Sequence, residues 1–551
     1  MQLSQRQKIF AWWVAIFVLL AFTLLTQSRF WGFVQDDTFI SLRYARNLLN
    51  GHGLVFNPGE PVEGYSNFLW TVTGTLFMGL GLDALTALRV LGGVSALVLV
   101  GMLVLWSAEI RGRERKFWDL LPALSLGASS TLAAWSTSGL EQAFFALCGW
   151  ASIFALQKGR MRLAAMLLLA VMLTRPEGIL FLLFALWLTV VKPSVVISSS
   201  RLLFWKYAGV IAALFAAYVS WRYWYFGDLL PNTFYIKGGG GWVNAEQGIR
   251  SFKQLCLLNS NWFFLALAPL ALIKKQGRWL TFSLLLFLIG YCLYEIKIGG
   301  DFLPLFRLHL TVLPVQYLLG VRALEALADG LTTLSRRALP RAADYLVAVV
   351  ALLVLSLPFA SMIRYSYGHP EFRGTESALR NAHAKVGEYL QAHSRPGDIT
   401  VGQDMGMIPW TAPDVHFVDV IGLVDNTISQ IYYNANYTPY IRYLLYRTET
   451  GRKNIADMES KVRDYLWSKN PRFFVVHANT HNQDYQTTQR AFSSGNMEMF
   501  DRLANANVLF NRIHTSPQWK NYRPVRIWRF SSVHYLLLYE RMDHDLTAGA
   551  G

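Results

Sequence analysis

Two adjacent carboxylates, Asp36 and Asp37, stand ahead of the stretch TFISLRYARNLL. In it Phe39, Leu42, Ala45 and Leu49 recur at helical spacing, with Arg43 and Arg46 on another side. Acids at this position can do two things. They can cap the helix and complement its dipole, an effect of about 1 kcal/mol. Alternatively, a carboxylate beside a low-dielectric cavity can act as a general base, its pKa tuned by its surroundings. Both roles stay open for this pair.

Further along, polar residues collect in short blocks between apolar runs. Ser136-Thr137-Ser138-Gly139-Leu140-Glu141 reads as a tight turn in which Glu141 caps the next helix or orients a ligand. Thr174-Arg175-Pro176-Glu177-Gly178 sets Arg175 and Glu177 between two short apolar runs. Ionisable groups at membrane depth are costly, so they pair with each other or serve function. The block 222–241 offers Arg222, Asp228, Asn232, Tyr235 and Lys237 before four glycines. The block 297–307 sets Asp301 and Arg307 at the ends of a Gly/Pro-shaped turn. Arginine binds phosphate in a bidentate way, whereas snorkelling to headgroups is the structural alternative for Arg222 and Arg307. Asp404, Asp419 and Asp425 accompany glycines near strand ends, where both binding residues and plain turn residues occur.

The elements that must carry these groups are mostly membrane spans. Of 551 residues, 53% are hydrophobic and 16% charged, against about 25% charged in an ordinary soluble protein, and mean hydropathy is +0.28. A disordered or collagen-like chain is excluded by this apolar and aromatic content. The formal charge is +16, yet the cations sit in small clusters between apolar runs rather than on one face, which argues against nucleic acid. A bilayer core needs about 20 apolar residues as helix. Suitable runs lie at 9–26, 84–108, 118–135, 141–157, 163–174, 178–191, 205–221, 255–273, 279–296, 308–324 and 344–362, about eleven spans. The first is too long for a signal peptide and no cleavage site follows it. Residues 66–82 read as a helix lying in the outer interface. Cys148, Cys256 and Cys292 all fall in apolar runs without metal-ligand spacing, so neither a disulfide framework nor a metal site is expected.

Orientation follows from Lys and Arg. A cytoplasmic N-terminus places 19 cations inside, among them Arg111, Arg160, Lys206, Lys274 and Arg322. Residues 1–363 carry 30 Lys+Arg and 17 acids, a net of +13, and residues 364–551 hold the remaining +3. The excess is thus chiefly a topology signal. The reading is a membrane domain over 1–363, with a first outer loop at 28–83, and an α/β domain over 364–551 outside the cytoplasm. The latter contains short apolar runs at 399–401, 416–421, 473–476 and 535–539 between amphipathic stretches.

DDTFISLRYARNL followed by GLVFNPGEPVEGYSNFLW resembles the first outer loop of polytopic glycosyltransferases of the GT-C type. Within that type it is similar to arabinofuranosyltransferases that add terminal β-(1→2) arabinofuranose. SGLE, TRPEG, YFGDLLPNTFYIK, GGDFLP and DVIGLVD follow in the family's order across residues 30–430, and residues 430–551 carry little that matches. The resemblance implies an inverting transfer, without a covalent intermediate, from a polyprenyl-phosphate-linked sugar at the outer face of a bacterial cytoplasmic membrane. It implies that the base is an aspartate of the first outer loop, here Asp37, with Asp36 the alternative. Arg175, Lys237, Arg307 and Arg222 are then the candidates for the donor phosphate. Glu141, Glu177, Asn232 and Asp301 are candidates for orienting sugar, acceptor or those cations. No cofactor is implied; a divalent metal is compatible but not required. The acceptor would be a cell-envelope glycan, a lipid-linked glycan or a surface glycoprotein. The composition lacks the alanine richness of actinobacterial members, which leaves sugar and acceptor open. Two rival readings share the spans: a flippase or transporter of lipid-linked sugars, and a non-catalytic scaffold with an outer binding domain. A transporter would show inverted hydropathy repeats, and none is evident.

Overall fold

The computed structural model describes residues 4–112, 117–191, 201–238, 241–258, 261–301, 303–335, 356–360, 363–364, 374–438, 449–479, 490, 493–494, 511–531 and 534–542. Most of the expected span at 344–362 and the basic residues Arg113, Arg115, Lys116, Lys192, Arg336, Arg337 and Arg341 lie outside these.

Four described helices are long and apolar enough to cross a membrane. They are α1 (Gln5–Arg29), α4 (Ala84–Ile110), α10 (Arg201–Phe226) and α14 (Arg278–Lys297). Two bent pairs raise the number to six: α6 (Ser130–Thr137) with α7 (Gln142–Gln157), and α12 (Gly241–Leu258) with α13 (Asn261–Leu267) and the 3-10 turn that follows. The chain is a multi-pass membrane protein. Two expected spans take another form. The run 118–135 divides at Ala128-Ser129 between α5 (Leu120–Gly127) and α6, because Ser129 is extended. The run 308–324 opens as a 3-10 turn, Leu308–Thr311, and continues as α15 (Leu313–Ser335). That helix takes in Arg322, Glu325 and Asp329, and its first two turns are buried among other helices.

The two short runs form separate helices, each with one buried and one exposed apolar side. α8 (Met161–Thr174) ends at Arg175, whose extended backbone suits the residue before Pro176, and α9 (Ile179–Val191) restarts after it. α7, α9 and α14 meet through Trp150, Phe181, Phe184 and Phe287, with ring centroids 5.0–6.4 Å apart. Residues 28–83 fold into α2 (Asp37–Leu49) and α3 (Phe68–Gly79), which pack on each other and on α4. At 12 residues α3 is too short to span.

The C-terminal part forms one five-stranded sheet in the order β2-β1-β3-β5-β4. The strands are β1 (Ile399–Gly402), β2 (His416–Asp419), β3 (Phe473–Asn479), β4 (Tyr522–Arg529) and β5 (His534–Arg541). β1 pairs in parallel with β2 and β3, and β5 pairs antiparallel with β3 and β4. Successive residues of a strand face opposite sides of the sheet. Phe474, Val476, Leu537 and Tyr539 pack with Ile455, Met458 and Leu466 of the helix Glu449–Ser468. Phe473, Val475, Leu536 and Leu538 pack instead in one cluster with Ile40, Tyr44, Phe56 and Tyr65 of the segment 28–83. The second face is therefore covered by the helix His383–His393 and residues 405–415, and residues of the membrane half join the same cluster.

Polar contacts reinforce that join. The Asn57 side chain donates to the Phe417 carbonyl at 2.8 Å and accepts its amide at 3.2 Å. Arg43, 1% exposed, donates to the carbonyls of Phe56, Pro409, Ala412 and Val415. Arg89 of α4 pairs with Glu376 at 3.0 Å.

Candidate active site

Asp36 and Asp37 are adjacent, yet they do different things. The Asp36 carboxylate makes no cap bond to its own helix. It accepts the backbone amides of Gly406 at 3.0 Å and Met407 at 2.8 Å, both from the loop after β1. Burial raises its pKa to about 6, with Asp404 adding to the rise and His383 opposing it. Asp37 opens α2, and among the described residues its carboxylate makes no hydrogen bond and no ion pair. The start of α2 is fixed from a second side: the Gln35 amide and the Thr38 hydroxyl both donate to the Ser138 carbonyl, at 3.3 and 3.2 Å. Ser138 and Gly139 form the hinge between α6 and α7. Gly139 has φ +91°, and a Cβ there would meet Thr38 at 2.6 Å, so only glycine fits.

Four of the cations and acids expected to serve the site are joined in ion pairs. Glu141 does not cap α7. Its carboxylate takes the Asn67 amide at 2.7 Å and the Arg175 guanidinium, which also donates to Glu177 at 2.6 Å. All three charged groups are buried. Arg222 is held by Glu63 through Nε, 3.0 Å from both carboxylate oxygens, and through Nη2. Asn232 begins α11 (Asn232–Gly238), where its amide donates to the Glu63 carbonyl at 3.0 Å and its side chain lies 3.4 Å from the Gly422 carbonyl. The Asp301 carboxylate closes its own turn through the amides of Leu303 and Leu308, at 3.2 and 2.9 Å.

Of the four candidate cations, two have no polar partner among the described residues. Arg307, which is buried, follows Leu305 and Phe306, two non-glycine residues at φ 61° and 50°, an unfavourable backbone. It lies 5.7 Å from the Trp135 ring centroid, and its buried Nε has no hydrogen-bond partner. The Lys237 ammonium likewise has no polar partner. Burial lowers its pKa to about 8; Arg307 and Arg175 lower it further, while Asp37 and Asp301 act against them. α11 is carried by the C-terminal part, since it packs on the helix Asn426–Asn434 and Tyr235 meets Tyr433 edge-on at 5.2 Å.

Several functional-looking groups were not singled out by the sequence. Glu63 and Asn67 lie in the first outer loop without a spacing signal. His383, His477 and His534 come from three distant elements and meet only in the fold. Asp404 lies 3.0 Å from His477 Nδ1 and 3.3 Å from His383 Nε2, and His477 Nε2 lies 3.0 Å from His534 Nδ1. Conversely, the acids of the 416–425 block shape its turn. Asp419 accepts the amides of Ile421 and Val424, and Asp425 accepts that of Ile428.

The backbone can be compared with solved structures. It superposes on ArnT from Cupriavidus metallidurans bound to undecaprenyl phosphate with a TM-score of 0.51 and 13% identity, over 96% of this chain and 98% of that one. It superposes on the apo oligosaccharyltransferase of Archaeoglobus fulgidus with a TM-score of 0.52 and 13% identity, over 94% and 74% of the two chains. The chain has the GT-C fold. In sequence, 281 residues are 29% identical to the terminal beta-(1->2)-arabinofuranosyltransferase of Mycobacterium tuberculosis, covering 45% of this chain. The match spans 42% of that relative, so less than half of its length. Residues 370–539 match a family described as a domain of unknown function, DUF8728. That region of this GT-C chain contains the five strands up to Tyr539 and the loop that holds Asp36.

Proposed function

We propose that the chain is an inverting glycosyltransferase that moves a sugar from a polyprenyl-phosphate donor to an acceptor hydroxyl at the outer face of a bacterial cytoplasmic membrane. The observation that carries this reading is that one carboxylate, Asp37, and two candidate cations, Lys237 and Arg307, have no polar partner among the described residues of a GT-C fold. Asp37 is the base in this account and Asp36 its anchor. Asp37 takes the acceptor proton as the acceptor oxygen bonds to the anomeric carbon. The bond from that carbon to the phosphate oxygen breaks on the opposite face, which inverts the centre. Negative charge then grows on the lipid phosphate, and Lys237 and Arg307 stabilise it in surroundings of low dielectric. Arg175, held by Glu141 and Glu177, adds positive potential at a fixed place. Asn232 and Asp301 shape the two loops that present Lys237 and Arg307.

D-arabinofuranose is the proposed sugar, supported by the activity named for the mycobacterial relative. The acceptor is a cell-envelope glycan, a lipid-linked glycan or a surface glycoprotein. The N-terminus is cytoplasmic in this reading and the sheet domain lies outside.

The test is transfer in vitro from polyprenyl-phosphoryl arabinofuranose to cell-envelope acceptors. Asp37→Asn is expected to lower kcat by at least about a hundredfold while the protein stays folded. Full activity in that variant would remove Asp37 as base, and no transfer by the wild type from any polyprenyl-phosphate sugar would remove the reading.

A further inference from the structure

Behind the Arg307 turn lie three donor atoms that the proposed reaction does not use. Cys292 and Glu295 stand three residues apart on α14 and so share one face of it. His309 comes from the 3-10 turn Leu308–Thr311, which runs back past that face. The Cys292 sulfur, a Glu295 carboxylate oxygen and a His309 ring nitrogen lie within 4.8 Å of one another, and all three residues are buried. Glu295 and His309 border a cavity of about 10 Å³, enough for one water-sized occupant, together with Ser251, Gly300 and Asp301.

The bonding around the cluster points to a cation. Glu295 is 6% exposed, and its Oε1 has no hydrogen-bond partner. Its Oε2 lies 3.0 Å from His309 Nδ1. His309 Nε2 lies 2.7 Å from Gln316 Oε1, and Gln316 Nε2 donates to Asn261 Oδ1 at 3.1 Å. With the amides oriented this way an acceptor faces Nε2, which then carries the proton. In the neutral ring the Nδ1 lone pair then faces a carboxylate, an arrangement that needs a proton or a metal ion between them. An imidazole oriented by a carbonyl on its far nitrogen is how metal-binding histidines are usually held.

We propose that Cys292, Glu295 and His309 bind a zinc ion, with a water in the cavity completing four-coordination. The mixed S, O and N donor set suits zinc, whereas calcium and magnesium prefer oxygen alone. One thiolate and one carboxylate neutralise the divalent ion, so the buried site carries no net charge. Binding releases the Cys292 thiol proton and any proton held between Glu295 and His309. The ion fastens the Leu308–Thr311 turn to α14. It thereby fixes the segment that presents Asp301 and Arg307.

Zinc content is measured without any transfer reaction, so this inference stands or falls apart from the proposed activity. The full chain is purified in detergent without chelator and its metals are measured by mass spectrometry. About one zinc per chain is expected, falling at least about fivefold in Cys292→Ser and in His309→Ala, and unchanged in Cys148→Ser. Cobalt substitution of the wild type should give a thiolate-to-metal charge-transfer band, which decides the matter even where a variant does not fold. Wild type that holds less than about a tenth of an equivalent after dialysis against zinc would overturn the site. So would Cys292→Ser that binds as much as wild type, or a cobalt form without the thiolate band.

Discussion

The Asp36 carboxylate accepts the Met407 amide at 2.8 Å, so the residue ahead of α2 is fastened to the loop that leaves the first strand of the sheet. Its neighbour Asp37 is held in place without being tied down. The two aspartates should therefore separate in experiment. Asp36→Asn keeps one acceptor oxygen, loses one of the two backbone hydrogen bonds and should cost stability mainly on the acid side, where the raised carboxyl contributes most. Its kcat should fall modestly, through displacement of the helix start. Asp37→Asn should leave the thermal midpoint close to wild type and lower kcat far more. Parallel thermal melts and kcat measurements check this, and a larger kcat loss in Asp36→Asn would exchange the roles.

Asp36 also gives a stability signature. Its folded pKa is raised to about 6 by burial, above the 3.8 of a free carboxyl. A group raised in this way contributes stability that is fully present below its unfolded pKa and lost as pH rises through its folded pKa. The stability difference between wild type and Asp36→Asn should therefore change between about pH 4 and pH 6 and level off above. Melting both proteins across that range tests it.

Lys237 sets an alkaline limit. Its pKa is lowered to about 8, chiefly by burial and then by Arg307. The phosphate needs the ammonium form, so kcat/KM for the donor should fall as pH rises through about 8, since this ratio reports the free enzyme. Lys237→Arg keeps its charge at higher pH and should move that limb upward. Lys237→Met should lack the limb and lose activity at every pH.

How much of this was legible in the sequence depended on whether a feature is local. The break at Arg175-Pro176 follows from proline and the fold contains it, and within 66–82, read as non-spanning from the placement of the basic clusters, the fold has the short helix Phe68–Gly79. Four of the five strands were legible where apolar residues cluster, at 399–401, 416–421, 473–476 and 535–539, but β4 (Tyr522–Arg529) was not. Its YRPVRIWR alternates weakly because it is half-exposed at the sheet edge. The span boundary at Ala128-Ser129 was hidden because both sides of it are apolar. The cations near the site were legible by type, but not their partners. Arg222 meets Glu63 across 159 positions and Arg89 meets Glu376 across 287. No period or motif in one chain encodes such pairs. The same holds for Cys292, Glu295 and His309, which no ligand spacing announces and which a helix face and a returning turn bring together.

Arg222 and Glu63 form a buried, multiply bonded pair, and this should govern how Arg222 variants fail. Removing one member of such a pair strands the other charge, at about 3–5 kcal/mol. Arg222→Met should lower stability by that order with little change in donor KM. The double variant Arg222→Met with Glu63→Met should recover part of the loss. A rise in donor KM without destabilisation would instead make Arg222 a phosphate ligand.

Asp404 joins the sheet to the anchor of the base, two residues ahead of the Gly406 amide on Asp36. Burial alone would raise the Asp404 pKa; His477, and then the hydrogen bonds from His383 and His477, outweigh it and hold the carboxyl below the usual range. Burial works against the His477 charge, and Asp404 outweighs it, so the imidazole is raised above its ordinary value. A depressed carboxyl contributes stability above its unfolded pKa, lost as pH falls. A raised imidazole contributes stability below its unfolded pKa, lost as pH rises through the folded one. The Asp404–His477 pair therefore stabilises most between about pH 4 and pH 6.5, and wild type should lose its advantage over Asp404→Asn on the alkaline side. Because the loop also carries the amides that hold Asp36, Asp404→Asn should lower kcat with donor and acceptor KM unchanged. Kinetics of wild type, Asp404→Asn, Asp36→Asn and the double variant decide it: the two kcat losses should fall short of adding, since both loosen one contact. Fully additive losses would mean that the histidine cluster and the start of α2 act independently.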